Sequence, residues 1–430
     1  MRLPFGSVLI SALLTLQGCG DSTQDAGVAE TIPTSRLSPG VELATELSVT
    51  EVDSTGVRIV SIDGPVDALP EWSLAGAPVA RISGEAPPYL GSVGEVAILS
   101  TGAVLVEDNQ TTELHLFDSE GSHVRLVGGR GDGPGEFRDI GALTPVRGDT
   151  VWAYDSRHRR FSALQADGTL VRELTLRQQL AGPLTFILRA WPLAEGQFVV
   201  QSRSMVDARP GDPSKVQQDV HVLTVNASGD AVGTSVRLPG RVSMLTRFGI
   251  VSGFFTTEPM VAAWDHTVVW TSGLEYELVL ATASLMPTRI IRWAGWAEPV
   301  TDSLVAATRD TFEQSLAEMR GSRPERADAI VEAIFAPEVV GARLPALRSV
   351  LLDDYGRIWI SRFDVMDGPW HEVSSWHVLN LDGTPLARVT LPPDSRLGSV
   401  RGSRAALVVR DSLDVEHVLI YELPPDGEAR

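Results

Sequence analysis

The amino-acid sequence predicts an all-β fold made of repeated units, on three observations. From about residue 57 onward, short runs rich in β-branched and aromatic residues alternate with turn residues. Similar blocks recur every ~40 to 50 residues, a period typical of β-propeller blades. An Asp or Asn followed by a glycine closes an apolar run in several blocks, as tight antiparallel turns require. The segments with this last pattern are 116–121, 164–168, 225–229 and 379–383.

Counting the blocks predicts a six-bladed β-propeller. Each block is expected to contribute one antiparallel sheet, with alternating side chains packed between neighbouring sheets. Strands of a second hairpin in each block are predicted at 103–106, 150–154 and 357–360. The predicted blades are 91–128, 138–176, 186–238, 243–293, 343–391 and 397–423.

The last block has only three convincing strands. Residues 57–62 form an isolated apolar strand near the start of the repeat region and are predicted to supply the fourth. Pairing with the edge near Val418, Leu419 and Ile420 would then close the ring and remove an exposed edge. The propeller is therefore expected to span residues 57–425.

One segment, near 301–336, departs from the strand pattern. Thr301 is a candidate helix cap, and Leu304, Thr308, Phe312, Leu316 and Met319 follow near one face at helical spacing. Pro324 is suited to the first turn of a second helix that would reach Phe335. A helical insertion is predicted, either packed on the propeller or serving as a lid or partner surface.

The N-terminal segment has the layout of an export signal. Arg2 precedes an apolar run from Leu3 to Leu16, and Gly18 stands before Cys19, the only cysteine of the chain. The run is shorter than the ~20 residues that a permanent membrane helix needs. Residues 16–19 resemble the lipobox of bacterial lipoproteins. The resemblance implies that signal peptide 1–18 is removed and that Cys19 is lipidated, which anchors the protein to a membrane of the cell envelope.

Residues 19–56 are predicted to form a lipidated flexible tether, because they are rich in small, polar and acidic residues and lack apolar periodicity. The whole chain of 430 residues is 43% hydrophobic and carries a formal charge of −19. This balance suits a large globular core and disfavours nucleic acid as a partner, since nucleic-acid sites need clustered Lys and Arg.

A glycine-rich loop at 129–137 is the most specific internal motif. It lacks the Lys-Ser/Thr ending of a phosphate-binding P-loop and precedes a strand rather than a helix. We expect a structural loop at Gly133, Pro134, Gly135, Glu136 and Phe137, in which Glu136 accepts hydrogen bonds and Phe137 fills the space between blades. With Tyr154-Asp155, Arg159-Arg160-Phe161 and Asp167-Gly168, residues 129–168 resemble an NHL repeat. The mature chain resembles the six-bladed NHL- and TolB-like propeller lipoproteins of bacteria.

No catalytic or metal-binding pattern is evident in the sequence. The eight histidines lack the pair spacing of a zinc site, so no metal or other cofactor is predicted. Asp155, Asp265, Asp353 and Asp354 lie near strand ends, where they could line a channel mouth or stabilise turns. The catalytic residues are left unknown.

Two functions remain open at this point. The first is a lipid-anchored binding or scaffold module of the cell envelope, whose partner would be an envelope protein, a peptide or a glycan. The alternative is a metal-dependent hydrolase or lyase resembling the gluconolactonase-like propellers, with its site in the central channel. Convergent carboxylates at a channel mouth would favour the enzyme.

Overall fold

A computed structural model describes residues 46–424 except 75, 149, 177–184, 205–213, 297 and 364–374. Cys19, the predicted signal peptide 1–18 and most of the predicted tether lie outside the described residues. So does the C-terminal end of the predicted propeller, residue 425.

The described residues are mostly in strands, which confirms the all-β prediction. The strands are β1 (Ser48–Ser54), β2 (Val57–Asp63), β3 (Ala80–Ile82), β4 (Val93–Ile98), β5 (Val104–Asp108), β6 (Glu113–Phe117), β7 (His123–Gly128), β8 (Ile140–Pro145), β9 (Thr150–Asp155), β10 (Arg160–Gln165), β11 (Leu170–Thr175), β12 (Thr185–Pro192), β13 (Phe198–Ser204), β14 (Ser214–Gln217), β15 (Val220–Val225), β16 (Ala231–Leu238), β17 (Val242–Thr246), β18 (Gly249–Ser252), β19 (Met260–Trp264), β20 (Thr267–Thr271), β21 (Glu277–Ala281), β22 (Pro287–Trp293), β23 (Leu347–Leu352), β24 (Arg357–Arg362), β25 (Ser375–Asn380), β26 (Pro385–Thr390), β27 (Ser395–Arg401), β28 (Arg404–Arg410) and β29 (Glu416–Glu422). The helices are α1 (Asp302–Ser315), α2 (Ala317–Ser322) and α3 (Pro324–Ile334).

Four consecutive antiparallel strands form the repeating unit. We number the sheets in chain order: the first contains β4–β7, the second β8–β11, the third β12, β13, β15 and β16, the fourth β19–β22, the fifth β23–β26, and the sixth β27–β29 with β3. The fourth sheet is extended by β2 and β1. These sheets match the predicted blocks except at 243–259, where the chain leaves the repeat.

Buried apolar side chains lie between successive sheets. Among the described residues, six clusters join sheets one and two, two and three, three and four, four and five, five and six, and six and one. Each sheet therefore buries both faces. The order of the clusters returns to its start, as expected for blades around an axis.

The hairpin turns follow the predicted chemistry. Gly121, Gly168, Gly229 and Gly383 all have positive φ, between 76° and 91°. They occupy the turns between the third and fourth strands of the first, second, third and fifth sheets. Asp118, Asp167 and Asn226 accept backbone hydrogen bonds in those turns, so they act as turn formers.

The closing strand differs from the prediction. Ala80–Ile82 supplies the fourth strand of the sixth sheet and pairs with residues 418–420, the edge that the sequence indicated. Residues 57–62, predicted for this role, instead pair in parallel with β22 of the fourth sheet. Val60 and Ile62 are buried between the fourth and fifth sheets, which fixes the strand there. The prediction favoured the longer apolar run over a strand of only three residues.

The predicted end of the tether at residue 56 is also too late. Ser48–Ser54 already forms a strand that pairs with β2 over its whole length. Every residue of β1 is exposed, so the strand lacks the apolar alternation that would have indicated it. Backbone pairing to β2 alone defines it.

The N-terminal segment 46–82 crosses the outside of three sheets in turn, and we call it the strap. It begins with β1 and β2 on the fourth sheet, and Glu71 then forms a bridge to Arg388 of β26 in the fifth. Trp72 is buried between the fifth and sixth sheets with its ring edge toward Trp359, at 6.2 Å between centroids. The strap ends as β3 in the sixth sheet.

A helical insertion joins the fourth and fifth sheets, close to its predicted bounds. The Thr301 side chain accepts a hydrogen bond from the Leu304 amide, and Pro324 occupies the first turn of α3. The helices pack on an accessory sheet of β14, β17 and β18, through a cluster that includes Met244, Val251 and Ile330. We call these helices and the accessory sheet the accessory layer. None of the described helices has the length and apolarity needed to cross a membrane.

Candidate functional site

The long connections between the described strands leave from one edge of the sheets. In an antiparallel sheet, the link from the second to the third strand and the link to the next sheet leave from the same edge. The connections 205–219, 239–259 and 294–346 belong to these two classes. Only short turns, such as 118–122 and 402–403, occur at the other edge of the described sheets. We call the two edges the insertion face and the turn face.

The glycine-rich loop 129–137 joins the first and second sheets on the insertion face. Phe137 is fully buried in the cluster between these two sheets. Glu136 accepts a hydrogen bond from the Gly133 amide at 2.8 Å, and Arg160 donates to the Gly133 and Glu136 carbonyls at 3.0 and 2.6 Å. Gly135 has a φ of +73°. These contacts hold the loop to its own sheets.

Asp132 of the same loop forms part of a charged network. Its carboxylate accepts two hydrogen bonds from Arg138 at 2.7 Å and one from His158 at 2.9 Å. These hydrogen bonds hold its pKa well below the usual range. Asp155 is fully buried and accepts hydrogen bonds from the His158 ring and from the Arg138 and Arg157 amides. Asp155 thus stabilises the turn and does not line a channel.

The other three predicted channel aspartates are also engaged with neighbouring strands. Asp353 is buried and accepts hydrogen bonds from Arg357 Nε at 2.6 Å and Trp359 Nε1 at 2.8 Å. Asp354 accepts a hydrogen bond from the Gly402 amide at 2.7 Å, which links the fifth and sixth sheets. Asp265 pairs with Arg147 at 2.9 Å, which links the fourth and second. These four aspartates do not converge on one site.

The innermost strands of the sheets carry a second polar network. Glu95 on β4 pairs with Arg189 on β12 at 3.0 Å, so the first sheet is connected directly to the third. Arg396 on β27 donates to the Val93 and Gly94 carbonyls at 2.6 and 2.8 Å. Two arginines therefore connect the first strands of the first, third and sixth sheets.

Glu107 on β5 is the most perturbed carboxyl group of this network. Its side chain is only 2% exposed, and Oε2 accepts a hydrogen bond from the Glu95 amide at 2.9 Å. Oε1 is buried without a hydrogen-bond partner among the described residues. Burial, with added repulsion from Glu95, Asp139 and Asp108, raises the pKa of Glu107 to about 8. The carboxyl group is therefore largely protonated at neutral pH.

A polar cleft opens where the third sheet meets the accessory sheet on the insertion face. It has about 220 Å³ of space, open to solvent, and is lined by Arg203, Gln218, Arg241, Ser243, Ser252 and Glu258. Arg203 Nε donates to Glu258 Oε1 at 2.7 Å, and Arg203 Nη2 donates to the second carboxylate oxygen. The Ser243 and Ser252 hydroxyls lie 3.2 Å apart.

Arg241 brings a second positive charge into this cleft. Its Nε is buried and has no hydrogen-bond partner among the described residues. Burial lowers the pKa of Arg241, although the Glu258 carboxylate opposes this effect. Glu258 is hydrogen-bonded to Arg203 alone of the two arginines, so the charged residues that line the cleft have an excess of one positive charge.

The described histidines and carboxylates do not form a metal site. No group of three or more His, Cys, Asp or Glu side chains among the described residues has an arrangement that could hold a metal ion. His377 is buried in an aromatic cluster with Tyr276, Trp293 and Trp296. His371 lies outside the described residues.

Sequence reasoning missed both polar clusters. Glu107 and Arg203 lie near the ends of the mostly buried strands β5 and β13, and a charged residue at the end of such a strand is the one local signal available. Arg241 and Glu258 occur in irregular connections, far from each other and from Arg203 in the chain. Spacing within the sequence gives no indication that these side chains meet.

Comparison with known protein families identifies the fold to which the repeated four-stranded sheets belong. A family model described as a 6-bladed beta-propeller matches residues 89–144, which cover the first sheet and the start of the second. The fold is a β-propeller. No curated protein matches the sequence.

Several solved structures are similar to this propeller. A proposed exported protein from Bacteroides fragilis is 11% identical, with 90% of this chain and 98% of that chain covered and a TM-score of 0.44. Regucalcin from Agrobacterium tumefaciens, a calcium-binding protein, is 13% identical, with 84% and 99% covered and a TM-score of 0.38. A gluconolactonase from Xanthomonas campestris is 12% identical, with 82% and 88% covered and a TM-score of 0.36.

Proposed function

We propose that the chain is a six-bladed, NHL- or TolB-like β-propeller lipoprotein that acts as a binding or scaffold module in the bacterial cell envelope. Each of the six sheets would be one blade, in agreement with the 6-bladed family model that matches residues 89–144. Cys19, next to its lipobox-like residues, would carry the lipid that anchors the protein to a membrane. The partner would be an envelope protein, a peptide or a glycan.

The observation that carries the binding proposal is the unequal distribution of connections. The insertion face carries the accessory layer, the polar cleft and the glycine-rich loop, whereas the described connections of the turn face are minimal. Binding sites are commonly built from loops that a rigid scaffold positions. The insertion face is therefore the proposed binding face.

Photo-crosslinking from matched positions tests this proposal. Tyr89 and Leu274 lie in connections of the insertion face, and Tyr355 and Met286 lie in turns of the turn face, with exposed fractions of 69%, 50%, 61% and 63%. A photoreactive residue at each position would be activated in intact cells. We expect specific adducts from the first pair only, and equal adducts from both faces would refute the proposal.

The lipid anchor has its own test. Cys19→Ser is expected to abolish metabolic labelling with a fatty acid and to release the protein from the membrane fraction, because the acylated cysteine would be the anchor. Equal labelling of the wild type and the variant would refute lipidation. The photo-crosslinking result does not depend on this outcome.

A propeller hydrolase or lyase is the second candidate, and Glu107 is the observation that favours it. Carboxyl groups with a pKa near neutrality often act as general acids or bases. The described residues supply no metal-binding group to accompany it. In an assay against lactones or glycosides, with added divalent cations, activity lost on Glu107→Gln would support the enzyme.

A further inference from the structure

We propose that the cleft of Arg203, Arg241 and Glu258 is a binding site for a carboxylate group of the ligand. This inference rests on the proposed function, because it assigns a chemical specificity to one site on the insertion face. It follows from the charges that line the cleft, their hydrogen bonds and the space between them.

The charge balance indicates an anion. Arg203 and Glu258 satisfy each other through two parallel hydrogen bonds, which leaves the Arg241 charge unmatched. Arg241 is half-buried, and a partly desolvated charge without a counter-ion is unfavourable, so an anion that enters the cleft would be stabilised. Among the described residues, no hydrogen-bond acceptor reaches Nε of Arg241. An anionic ligand in the cleft would balance the charge of this guanidinium group.

The excess of a single positive charge in the cleft favours a monoanion over a dianion. A carboxylate would neutralise the single excess positive charge, whereas a sulfate or phosphate dianion would leave one negative charge next to Glu258. Like charges at close range repel each other, and this repulsion is stronger near a protein surface than in bulk water. The planar guanidinium also matches the two oxygens of a carboxylate.

Neutral donors complete the proposed site. The paired hydroxyls of Ser243 and Ser252 and the amide of Gln218 line the same cleft. Hydroxyl and amide groups can donate hydrogen bonds to a carboxylate without adding charge. The cleft is open to solvent, so a carboxylate can contact these side chains while the rest of the ligand extends outward.

Titration of the full chain, purified in detergent, with propionate and with sulfate tests the proposal. We expect propionate to bind with saturation and to raise the melting temperature, and sulfate to bind more weakly at equal ionic strength. Chloride controls for ionic strength. Sulfate binding as tight as propionate binding would overturn the assignment to a carboxylate.

Arg241→Gln is expected to weaken propionate binding by about tenfold or more, because one charge-assisted hydrogen bond and the excess charge are lost. The matched control is Arg237→Gln, which removes an exposed arginine of the nearby strand β16 that pairs with Asp219. Equal affinity in the wild type and Arg241→Gln would refute the site. Removal of an unpaired buried charge should not prevent folding.

Glu258→Gln provides a second, independent variant. It leaves both arginines in place and raises the excess charge of the cleft from one to two, so the preference should shift from propionate toward sulfate. An unchanged preference would contradict the charge argument. Crosslinks from the insertion face with no propionate binding would overturn this inference alone, whereas propionate binding without crosslinks would overturn only the proposed function.

Discussion

Glu71 accepts hydrogen bonds from both Nε and Nη2 of Arg388 on one carboxylate oxygen, at 2.9 and 2.7 Å. Arg388 also pairs with Asp67, and its backbone exchanges hydrogen bonds with Pro70 and Trp72. Burial opposes ionisation of Glu71, but hydrogen bonds from Thr390 and Arg388 outweigh it and lower the pKa of Glu71. The strap is therefore attached to the fifth sheet by charge as well as by backbone pairing.

Arg388→Met is expected to lower the free energy of unfolding by about 1 kcal/mol, because Glu71 and Asp67 would lose their shared counter-ion. Chemical denaturation at low and high salt measures this, and salt should reduce the difference. Arg404→Met is the control, since Arg404 pairs with Glu422 within the sixth sheet and has a similar exposure. An equal loss of stability in both variants would show that the ion pairs of the strap contribute no more than an ordinary ion pair within one sheet.

Ile82→Ala is expected to destabilise the protein by about 2 to 5 kcal/mol. Ile82 is fully buried in the closing strand, between the sixth and first sheets. Val52→Ala is the control in the exposed strand β1, where the side chain is 62% exposed, and should change stability by less than about 0.5 kcal/mol. Equal denaturant midpoints for Ile82→Ala and Val52→Ala would contradict closure of the ring by residues 80–82.

The free energy of unfolding of Glu107→Gln is expected to rise relative to that of the wild type as pH increases from 4.5 to about 8. In this window the folded wild type retains a proton on Glu107 that the unfolded chain has lost, since the folded pKa is about 8 and the ordinary value is 4.5. The free energy of unfolding of the wild type therefore falls with pH, by up to about 1.4 kcal/mol per unit, from this group. Parallel pH profiles of the two proteins would refute the raised pKa.

His377 is expected to have the opposite effect on the pH dependence of stability, because it makes the folded protein less stable as pH falls. Burial, with repulsion from Arg362 and Arg388, lowers the pKa of His377 to about 4 from an ordinary value of 6.5. The unfolded chain binds a proton first, so this contribution to stability is present above pH 6.5 and is lost as pH falls toward 4.

His377→Phe should therefore be more stable than the wild type at pH 4.5, relative to their difference at pH 7.5. Thermal melts at both pH values measure this. His266→Phe controls for the added apolar surface, because its parent ring is 63% exposed. A stability difference between His377→Phe and the wild type that is the same at both pH values would contradict the prediction.

Local chemistry explains which parts of the fold could be predicted. Thr301 and Pro324 mark helix starts through their own side chains, and Gly168 marks a turn through its positive φ, so both features can be read from neighbouring residues. Ala80–Ile82 is too short to show a pattern, and its pairing depends on residues more than 300 positions away. Arg203 meets Glu258 because the end of β13 lies beside the connection 239–259, which also supplies Arg241, and no local rule describes that.

The strap also determines when the molecule can fold. Its strands bind to the fourth and sixth sheets, and β3 pairs with β29, which lies close to the C-terminus. A chain emerging N-terminus first, from a ribosome or a translocation pore, would release β2 and β3 long before β22 and β29, with which they pair. Long-range pairing of this kind makes folding slow and leaves early segments without a place to dock. Completion of the ring is therefore coupled to arrival of β29, so the sixth sheet closes only after the more than 300 residues between β3 and β29 have been synthesised or transported.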